Sequence, residues 1–562
     1  MPSGSPAGVG AIFTVRFLPD DRSVDLDGPT EAFQAAAACG IFLEQPCAGL
    51  ARCGQCRVRV RSGDAATSDA DRDVLSVAEM RDGWRLACTL TLQGAATIEV
   101  PGPARVAAIK GFWPAVTPEP GRIPPNAAPT QTGGRVLGLA VDIGTTSLAA
   151  AIVDLETGDL RAAGSAINPQ AEFGADVMSR IHAAGLDIRH RQALASAVRG
   201  AIAALAVRLA LEAGASIRDL AGAVVVGNPA MLHLWRGADP RSLGVAPYTG
   251  QWTAATTLRA GDVELPADAS TPVYVLPCVK SHVGADAVAA AIAVGLDRVG
   301  SPTLLVDLGT NSEIVLSDGS RIFAASAAAG PAFECGGISC GMRAAEGAID
   351  ALHLESDGRW SAHVIGNTAP RGVCGSGLLD AVAELLRVGV LDPSGYMRNA
   401  PEMRGLAPEA IVGRLSAPGA RRRVVLFDAD GERPGLHLDA ADVRLLQLAI
   451  GAMRAGIEVV CEDAGLTPED LETVFVAGTF GQYVRKASML RLGLLPPVAP
   501  EKVHTAGNAA GAGAALALLD LRVRERAERL AAGAIYVELA GRAGYQEALT
   551  RSLRFPAPQE AR

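Results

Sequence analysis

The sequence has no excess of basic residues, because its 51 lysines and arginines are outnumbered by 60 aspartates and glutamates, for a net charge of −9. This balance excludes the strongly basic surface that most nucleic-acid-binding chains carry, so we expect no nucleic-acid partner. Uninterrupted apolar runs of the roughly 18 residues that span a membrane are also missing. The N-terminus lacks the charged and apolar segments of a signal peptide. We therefore expect a cytoplasmic protein without a membrane partner.

The sequence also has few cysteines and lacks the common nucleotide-binding loop. Ten cysteines in 562 residues are too few for a disulfide scaffold and favour a reducing compartment. No G-x-x-x-x-G-K-[ST] sequence occurs, which excludes nucleotide binding through a P-loop. The chain is too long for one hydrophobic core, yet 49% of its residues are hydrophobic, so we expect several globular domains.

Four of the ten cysteines have the spacing of an iron–sulfur site. Cys47, Cys53 and Cys56 form a C-x5-C-x2-C motif, and Cys88 follows at a distance. Four thiolates in this arrangement can hold a [2Fe–2S] cluster. The glycines and alanines between the first three cysteines allow the backbone to approach the cluster closely. Zinc and a set of disulfides are the alternatives, although structural zinc sites usually pair two short cysteine or histidine motifs.

The segments around these cysteines have the pattern of a small mixed domain. Residues 12–18 and 57–61 alternate between polar and apolar side chains, as half-buried strands do. Together with the segment 84–88 that contains the last cysteine, they resemble a plant- or adrenodoxin-type ferredoxin of the β-grasp fold. We therefore expect a [2Fe–2S] ferredoxin-type domain at 1–104. The proline-rich stretch 105–134 is expected to be a linker.

A strand–turn–strand motif occurs twice in the rest of the chain. An apolar strand runs into Asp142-Ile-Gly-Thr-Thr-Ser147 and is followed by a second apolar run. The same arrangement returns 165 residues later as Asp307-Leu-Gly-Thr-Asn-Ser312. This repetition predicts two related halves, at 135–302 and 303–562.

The residue types in these turns suit phosphate binding. Glycine allows a tight turn around an oxygen, backbone N–H groups and threonine hydroxyls donate to phosphate, and aspartate orients Mg²⁺ or its waters. Asp142 and Asp307 are therefore our candidates for the metal and water positions. Glu313 or Glu334 is the candidate for orienting the attacking water. The phosphate-binding candidates are Gly144, Thr145, Thr146, Gly309, Thr310 and Asn311.

A third motif, Gly478-Thr479-Phe480-Gly481, follows another apolar strand, and its small residues would admit a flat purine. The two hairpins and this turn resemble the acetate and sugar kinase, Hsp70 and actin (ASKHA) superfamily. That resemblance implies a multidomain α+β and α/β architecture: a β-grasp ferredoxin-like domain, a linker and a duplicated ASKHA ATPase domain. It also implies that ATP and Mg²⁺ lie between the two halves, with Gly478 to Gly481 against the adenosine.

The combination of this ATPase with an N-terminal [2Fe–2S] domain resembles the ATP-dependent reductive activators of corrinoid proteins. The resemblance implies that one electron passes through the cluster to cob(II)amide of a methyltransferase system and regenerates cob(I)amide. Its implied partners are the corrinoid protein and a low-potential electron donor. Because related activators are often dimeric, it also implies a homodimer.

Three other functions remain open from the residues. The first is a nucleotide-gated binding or sensor module with negligible turnover, and the other two are enzymes. One is a ferredoxin-fused small-molecule kinase of the same superfamily. The other is a redox ATPase similar to the activators of 2-hydroxyacyl-CoA dehydratases, because Cys335, Cys340 and Cys374 loosely resemble the cluster-binding cysteines of those proteins.

Overall fold

The structure is a computed structural model that describes residues 12–19, 21–32, 35–36, 56–63, 65–100, 136–431, 435–478 and 484–557. The chain forms two compact units, the first consisting mainly of residues 1–106 and the second of most of the chain from residue 107. The expected linker at 105–134 lies outside the described residues.

The described residues of the first unit include a small sheet and two short helices whose bounds are known. Its core contains Val15, Phe17, Val58 and Ile98, which are fully buried. Strands β1 and β7 are parallel at the centre of a five-stranded sheet of order β2-β1-β7-β4-β5, and the other pairs are antiparallel. The elements are β1 (Phe13–Leu18), β2 (Arg22–Leu26), β3 (Thr30–Glu31), β4 (Arg57–Ser62), α1 (Asp69–Val74), α2 (Val77–Arg81), β5 (Trp84–Leu86), β6 (Thr91–Leu92) and β7 (Ala96–Glu99).

The first half of the second unit has a six-stranded sheet of order β10-β9-β8-β11-β13-β12. Its central strands are buried on both faces, as expected for apolar strands that helices cover. The elements are β8 (Leu137–Ile143), β9 (Ser147–Asp154), β10 (Leu160–Ile167), α3 (Val177–Leu186), α4 (Ile188–Glu212), β11 (Leu220–Gly227), α5 (Pro229–Arg236), β12 (Thr256–Arg259), β13 (Pro272–Val275) and α6 (Ala285–Ala293).

The second half has another six-stranded sheet, of order β23-β22-β14-β15-β16-β24, with smaller sheets beside it. A short 3₁₀ helix, Pro331–Glu334, follows its third strand. The elements are β14 (Thr303–Asp307), β15 (Ser312–Ser317), β16 (Ile322–Ala327), β17 (Ala348–Leu354), β18 (Trp360–Val364), β19 (Gly372–Val373), α7 (Gly375–Arg387), α8 (Ala400–Met403), α9 (Glu409–Val412), β20 (Arg423–Phe427), β21 (Leu436–Asp439), α10 (Ala440–Ala464), β22 (Thr473–Ala477), α11 (Lys486–Leu492), β23 (Val503–Gly507), α12 (Ala509–Leu519), α13 (Leu521–Gly533), β24 (Ile535–Tyr536) and α14 (Ala543–Ser552).

The two large sheets repeat one topology. Each begins with a three-stranded antiparallel meander, β8 to β10 in one half and β14 to β16 in the other. In each half the first strand of the meander then pairs in parallel with a later strand, β11 or β22. The duplicated architecture expected from the sequence is therefore confirmed.

Helices α6 and α12, one from each half, cross in close contact. Both are rich in alanine and glycine, so their backbones can approach each other. A Cβ atom added at Gly513 of α12 would lie 2.0 Å from the carbonyl oxygen of Ala289 in α6. This crossing therefore depends on the absence of a side chain at Gly513.

Helix α4 is long and apolar enough to cross a membrane by length and composition alone. No uninterrupted apolar run predicted such a helix from the sequence. In the structure, α4 packs against β9, β10 and α5, and its residues Leu194, Val198 and Leu209 are fully buried. Core helices of globular proteins can have the same length and apolar composition, and α4 packs as such a helix does.

Candidate functional site

Two of the four cluster cysteines lie side by side in the first unit. Cys56 immediately precedes β4 and Cys88 follows β5, and the pairing of Arg57 with Leu86 brings the two thiols together. Their sulfur atoms are 3.3 Å apart, and both residues are buried. Cys47 and Cys53 lie outside the described residues, so their role as ligands stays a prediction.

The electrostatics of this pair suit a thiolate site. The hydrogen bond with Cys88 lowers the pKa of Cys56 to about 7, against the opposing effect of burial. Thiolate is the form of cysteine that binds iron, and adjacent thiolates are the ligands of [2Fe–2S] clusters. Cys56 and Cys88 therefore fit the predicted cluster.

The first phosphate hairpin connects β8 to β9. A Cβ atom at Gly144 would lie 2.7 Å from the carbonyl oxygen of Ser147, so the turn requires glycine. The side-chain amide of Asn168 donates to the carbonyl of Gly144 at 2.9 Å and so stabilises the turn. Asn228, the N-cap of α5, donates to the Thr145 hydroxyl at 3.2 Å. The hairpin is thus held in place by two amides that the sequence analysis did not select.

The second phosphate hairpin connects the antiparallel strands β14 and β15, as the first connects β8 and β9. Asp307 is the last residue of β14, and the Ser312 hydroxyl donates to the carbonyl of Gly309 at 3.1 Å. Thr310 is buried, and its hydroxyl donates to Glu334 at 3.0 Å. The Thr146 hydroxyl of the first hairpin donates to the same Glu334 oxygen, Oε2, at 2.6 Å. The two hairpins therefore converge on one carboxylate.

A cluster of carboxylates lies between the hairpins. Burial, together with the nearby charge of Asp286, raises the pKa of Asp307 to about 7. Burial raises the pKa of Asp286 itself to about 6. For Asp142 and Glu313, burial followed by repulsion from Asp286 and Asp307 raises the pKa well above the usual range. The structure thus brings together all three predicted catalytic residues and adds Asp286.

Asp286 and Asn508 are two further site residues to which the sequence analysis assigned no role. Asp286 lies in the first turn of α6, and Asn508 is the N-cap of α12. A hydrogen bond from Asn508 partly offsets the raised pKa of Asp142. Their only signal in the sequence is that each lies next to a glycine- and alanine-rich helix.

These carboxylates suit a hydrated cation better than a dry metal site. Among the described residues, no group of three or more histidines, cysteines, aspartates or glutamates is arranged to hold a metal ion directly. Mg²⁺ keeps several waters and usually binds through one or two carboxylates together with substrate phosphates. The residues present therefore fit Mg²⁺ that arrives with a nucleotide.

The adenosine motif is described only at its first residue. Gly478 follows β22 with φ of +90°, and a Cβ atom there would lie 2.8 Å from Oδ1 of Asp307. Glycine therefore keeps this strand end close to the carboxylate cluster. Thr479, Phe480 and Gly481 lie outside the described residues, so their contact with adenosine stays a prediction.

Arg485, shortly after this motif, makes an ion-pair network that the sequence did not reveal. Its guanidinium donates to Asp380 at 2.9 Å and to Glu384 at 3.1 Å, both of them buried residues of α7. It also donates to the carbonyl of Leu352 at 2.8 Å. Arg485 thus fixes the chain that returns from the adenosine motif onto α7.

The three cysteines that suggested a second redox site are buried in the second half. Burial raises the pKa of Cys335, Cys340 and Cys374, that of Cys340 to about 12, so these groups stay as neutral thiols. Among the residues that the structure describes, these cysteines form no group that is arranged to hold a metal ion. Cys278 and Cys461 are buried core residues, as expected.

Comparison with known protein families covers both units. Residues 17–93 match the 2Fe-2S iron-sulfur cluster binding domain, residues 137–299 the RACo middle region, and residues 301–561 the C-terminal domain of RACo, the ASKHA domain. The chain belongs to the RACo family. Membership confirms the predicted combination of a [2Fe–2S] domain with an ATP-binding ASKHA domain.

Three individual proteins are similar to this chain over most of its length. The corrinoid activation enzyme RamQ of Eubacterium limosum is 35% identical over 387 residues, which is 68% of this chain and 64% of RamQ. The [Co(II) methylated amine-specific corrinoid protein] reductase of Methanosarcina barkeri is 27% identical over 406 residues, which is 66% of this chain and 68% of the reductase. The solved structure of a reductive activator for corrinoid,iron-sulfur protein superposes with a TM-score of 0.68 at 26% identity, covering 97% of this chain and 99% of that one.

Proposed function

We propose that this RACo-family protein uses ATP to reactivate a corrinoid protein of a methyltransferase system, passing one electron to cob(II)amide and regenerating cob(I)amide. The observation that carries the proposal is the presence in one chain of two adjacent buried thiols in a ferredoxin-type unit and a pair of phosphate hairpins in an ATPase unit. The names of the relatives, two of which refer to corrinoid proteins, support it.

ATP is needed because the electron transfer is uphill. Plant-type [2Fe–2S] clusters have potentials near −400 mV, and cob(I)amide holds its extra electron poorly. Each 100 mV of shortfall costs about 2.3 kcal/mol for one electron. When bound, the cluster supplies a one-electron carrier, and the ATPase unit supplies the conformational cycle that allows the transfer to proceed.

The residues of the two hairpins supply the groups that ATP hydrolysis requires. Asp142 and Asp307 hold Mg²⁺ or its waters, and the phosphates bind Gly144, Thr145, Thr146, Gly309, Thr310 and Asn311. Glu313 is buried and lies opposite Asp307 in the β14–β15 pair. In this proposal it positions the carboxylate of Asp307 and the attacking water. The negative charge of this cluster is what Mg²⁺ neutralises when the nucleotide binds.

The setting of the reaction is part of the same proposal. The protein acts in the cytoplasm, where a low-potential donor protein supplies electrons and the corrinoid protein receives them. We also propose that the active form is a homodimer.

The test is cobalt reduction by the reconstituted full chain. Cob(I) absorbance is followed after mixing with a cob(II)amide corrinoid subunit and a low-potential donor, with and without ATP, and with a Cys56→Ala variant. Reduction that requires both ATP and Cys56 supports the proposal. Equal reduction without nucleotide contradicts it, and phosphorylation of a small metabolite without cob(I) formation would favour the kinase alternative.

A further inference from the structure

Glu334 accepts hydrogen bonds from both phosphate hairpins although it belongs to neither. It ends the 3₁₀ helix Pro331–Glu334, and its Oε2 atom accepts hydrogen bonds from Thr146 at 2.6 Å and from Thr310 at 3.0 Å. Thr146 belongs to the first half of the ATPase unit, whereas Thr310 and Glu334 belong to the second. One carboxylate oxygen therefore ties the two halves together through the hydroxyls of both hairpins.

Each threonine hydroxyl has one proton to donate. A hydroxyl that donates to Glu334 cannot donate to a phosphate oxygen at the same time. A carboxylate and a phosphate within reach of the same hydroxyl would also repel each other, because both are anions in a partly buried cleft. Glu334 and the nucleotide phosphates are therefore mutually exclusive partners of Thr146 and Thr310.

The surroundings of Glu334 favour a side chain that can exchange partners. The turn before it is fixed by a hydrogen bond from the Gly330 amide to the Thr310 carbonyl at 2.9 Å. The buried Arg180 of α3 interacts electrostatically with Glu334. Burial lowers the pKa of Arg180 to about 10, and the negative charge of Glu334 opposes that shift. A Glu334 carboxylate that leaves the threonines thus has a cation nearby.

We propose that Glu334 is a competitive latch of the nucleotide site: it holds the two phosphate hairpins together through Thr146 and Thr310, and the nucleotide phosphates displace it. The proposal rests on nucleotide binding by the RACo-family ATPase unit and is independent of the corrinoid partner. It gives the nucleotide a direct means of breaking a contact between the two halves.

The first test measures the affinity of the full chain for Mg·AMP-PNP, a non-hydrolysable ATP analogue, by calorimetry. Glu334→Gln removes the charge with little change in shape and should tighten binding roughly tenfold, the size expected when a charged competitor for a hydrogen bond is lost. The matched control is Glu355→Gln, which removes the same charge from an exposed position in the same half and should leave the affinity unchanged.

Two results would overturn the latch. Unchanged affinity in Glu334→Gln would show that nothing is displaced, and weaker affinity would show that Glu334 assists the nucleotide, for instance through its Mg²⁺. The gain in affinity should also shrink in a chain that carries Thr146→Val and Thr310→Val, because the contested hydroxyls are then gone.

A second test needs no variant, since removal of Glu334 also affects Arg180 and could impair folding. Hydrogen–deuterium exchange of the wild-type chain is compared with and without Mg·AMP-PNP. The latch predicts that the hairpin 142–147 becomes more protected while the segment 330–336 becomes less protected. Increased protection of both segments would contradict it, whatever the corrinoid activity of the preparation.

Discussion

Asp307 and Glu313 face each other as directly paired residues of β14 and β15, at the end of the sheet where the second phosphate hairpin begins. Asp142 and Asp286 lie near enough to raise the pKa of Glu313 together with burial. Four carboxylates in one cleft repel one another, and this repulsion costs stability until a cation binds. The pair therefore links folding stability to Mg²⁺·nucleotide binding.

Glu313→Gln is expected to stabilise the chain without Mg²⁺ and to slow ATP hydrolysis. The substitution removes a buried carboxyl group whose ionisation is opposed by burial and by its acidic neighbours, so it should raise the free energy of unfolding by ~1 kcal/mol, which is a rise of a few degrees in Tm. The rate should fall tenfold or more, because we propose that Glu313 positions Asp307 and the attacking water. Thermal unfolding in EDTA and a phosphate-release assay measure the two effects, and a lower Tm in EDTA would refute the repulsion argument.

Cys56→Ser should abolish the [2Fe–2S] cluster and leave nucleotide binding intact. Serine cannot replace the thiolate that adjoins Cys88, whereas the phosphate hairpins belong to the other unit. Iron content, visible absorption and the electron paramagnetic resonance signal of the reduced protein report the cluster, and calorimetry with Mg·AMP-PNP reports the nucleotide site. Cys461→Ser, in the core of α10, is the control and should retain the cluster.

The sequence predicted the parts of the site that are local in the chain. Each phosphate hairpin is a short strand–turn–strand motif whose glycine, threonine and aspartate are contiguous, so Asp142 and Asp307 could be found by their repetition. Cys56 could also be found from local sequence, through its spacing from Cys47 and Cys53. The duplicated sheet topology also follows from these repeats, because equivalent strands flank them.

Residues that reach the site from distant helices could not be predicted. Asp286 and Asn508 are far apart in sequence and come together only because α6 and α12 cross. Glu334 could be named as a candidate from the sequence, but its contact with Thr146, which is 188 residues away, could not be predicted. Aspartate and asparagine at helix starts are common caps, so nothing in their local sequence distinguishes a site residue from a structural one.

Arg485→Ala is expected to destabilise the second unit by about 2–3 kcal/mol. Asp380 is completely buried, and loss of its arginine leaves an uncompensated charge, although partial exposure of Arg485 reduces the penalty. Chemical denaturation measures the change. Arg359→Ala removes an exposed arginine that is 3.6 Å from an exposed aspartate and should change stability by less than ~0.5 kcal/mol.

Arg485→Ala should also weaken nucleotide binding, because Arg485 anchors the chain just after the adenosine motif. Calorimetry with Mg·AMP-PNP at a temperature where the variant is folded separates this effect from unfolding. A variant that is destabilised as expected but binds the nucleotide with wild-type affinity would show that the anchor serves folding alone.

His233 should make stability depend on pH below about 6.5, the ordinary pKa of histidine. Its Nδ1 donates to the Pro229 carbonyl at 2.6 Å and its Nε2 accepts from the Gln251 amide at 3.0 Å, so the ring is neutral. Burial lowers its pKa in the folded state. The unfolded chain therefore binds a proton first as pH falls, and stability present above pH 6.5 is lost towards the folded pKa.

The measurement is Tm at pH 7.5 and pH 5.5 for the wild type and for His233→Gln. The variant should be less stable at pH 7.5 but lose less of its stability on acidification. His504→Gln, at an exposed position, should retain the wild-type pH dependence. Identical pH dependence in the wild type and His233→Gln would exclude His233 as the source.

Gly513→Ala and Gly200→Ala should have opposite effects, although both place a methyl group in a helix. At Gly513 the new Cβ would lie 2.0 Å from the Ala289 carbonyl oxygen, so α12 must move away from α6. At Gly200 of α4 no described atom outside the helix's own backbone and the neighbouring residues lies within 4 Å of the added Cβ, so alanine should stabilise the helix by ~0.5–1 kcal/mol. We expect Gly513→Ala to cost ~2 kcal/mol or more, as overpacking of a closely packed crossing does.

The functional consequence should separate the two glycine variants further. Because Asp286 and Asn508 begin the two crossing helices, a shift of α12 against α6 moves both relative to Asp142. ATP hydrolysis by Gly513→Ala should fall well below that of the wild type even at temperatures where the variant is fully folded, whereas Gly200→Ala should hydrolyse ATP normally. Normal hydrolysis by a folded Gly513→Ala chain would show that the crossing stabilises the unit without setting the geometry of the carboxylate cluster.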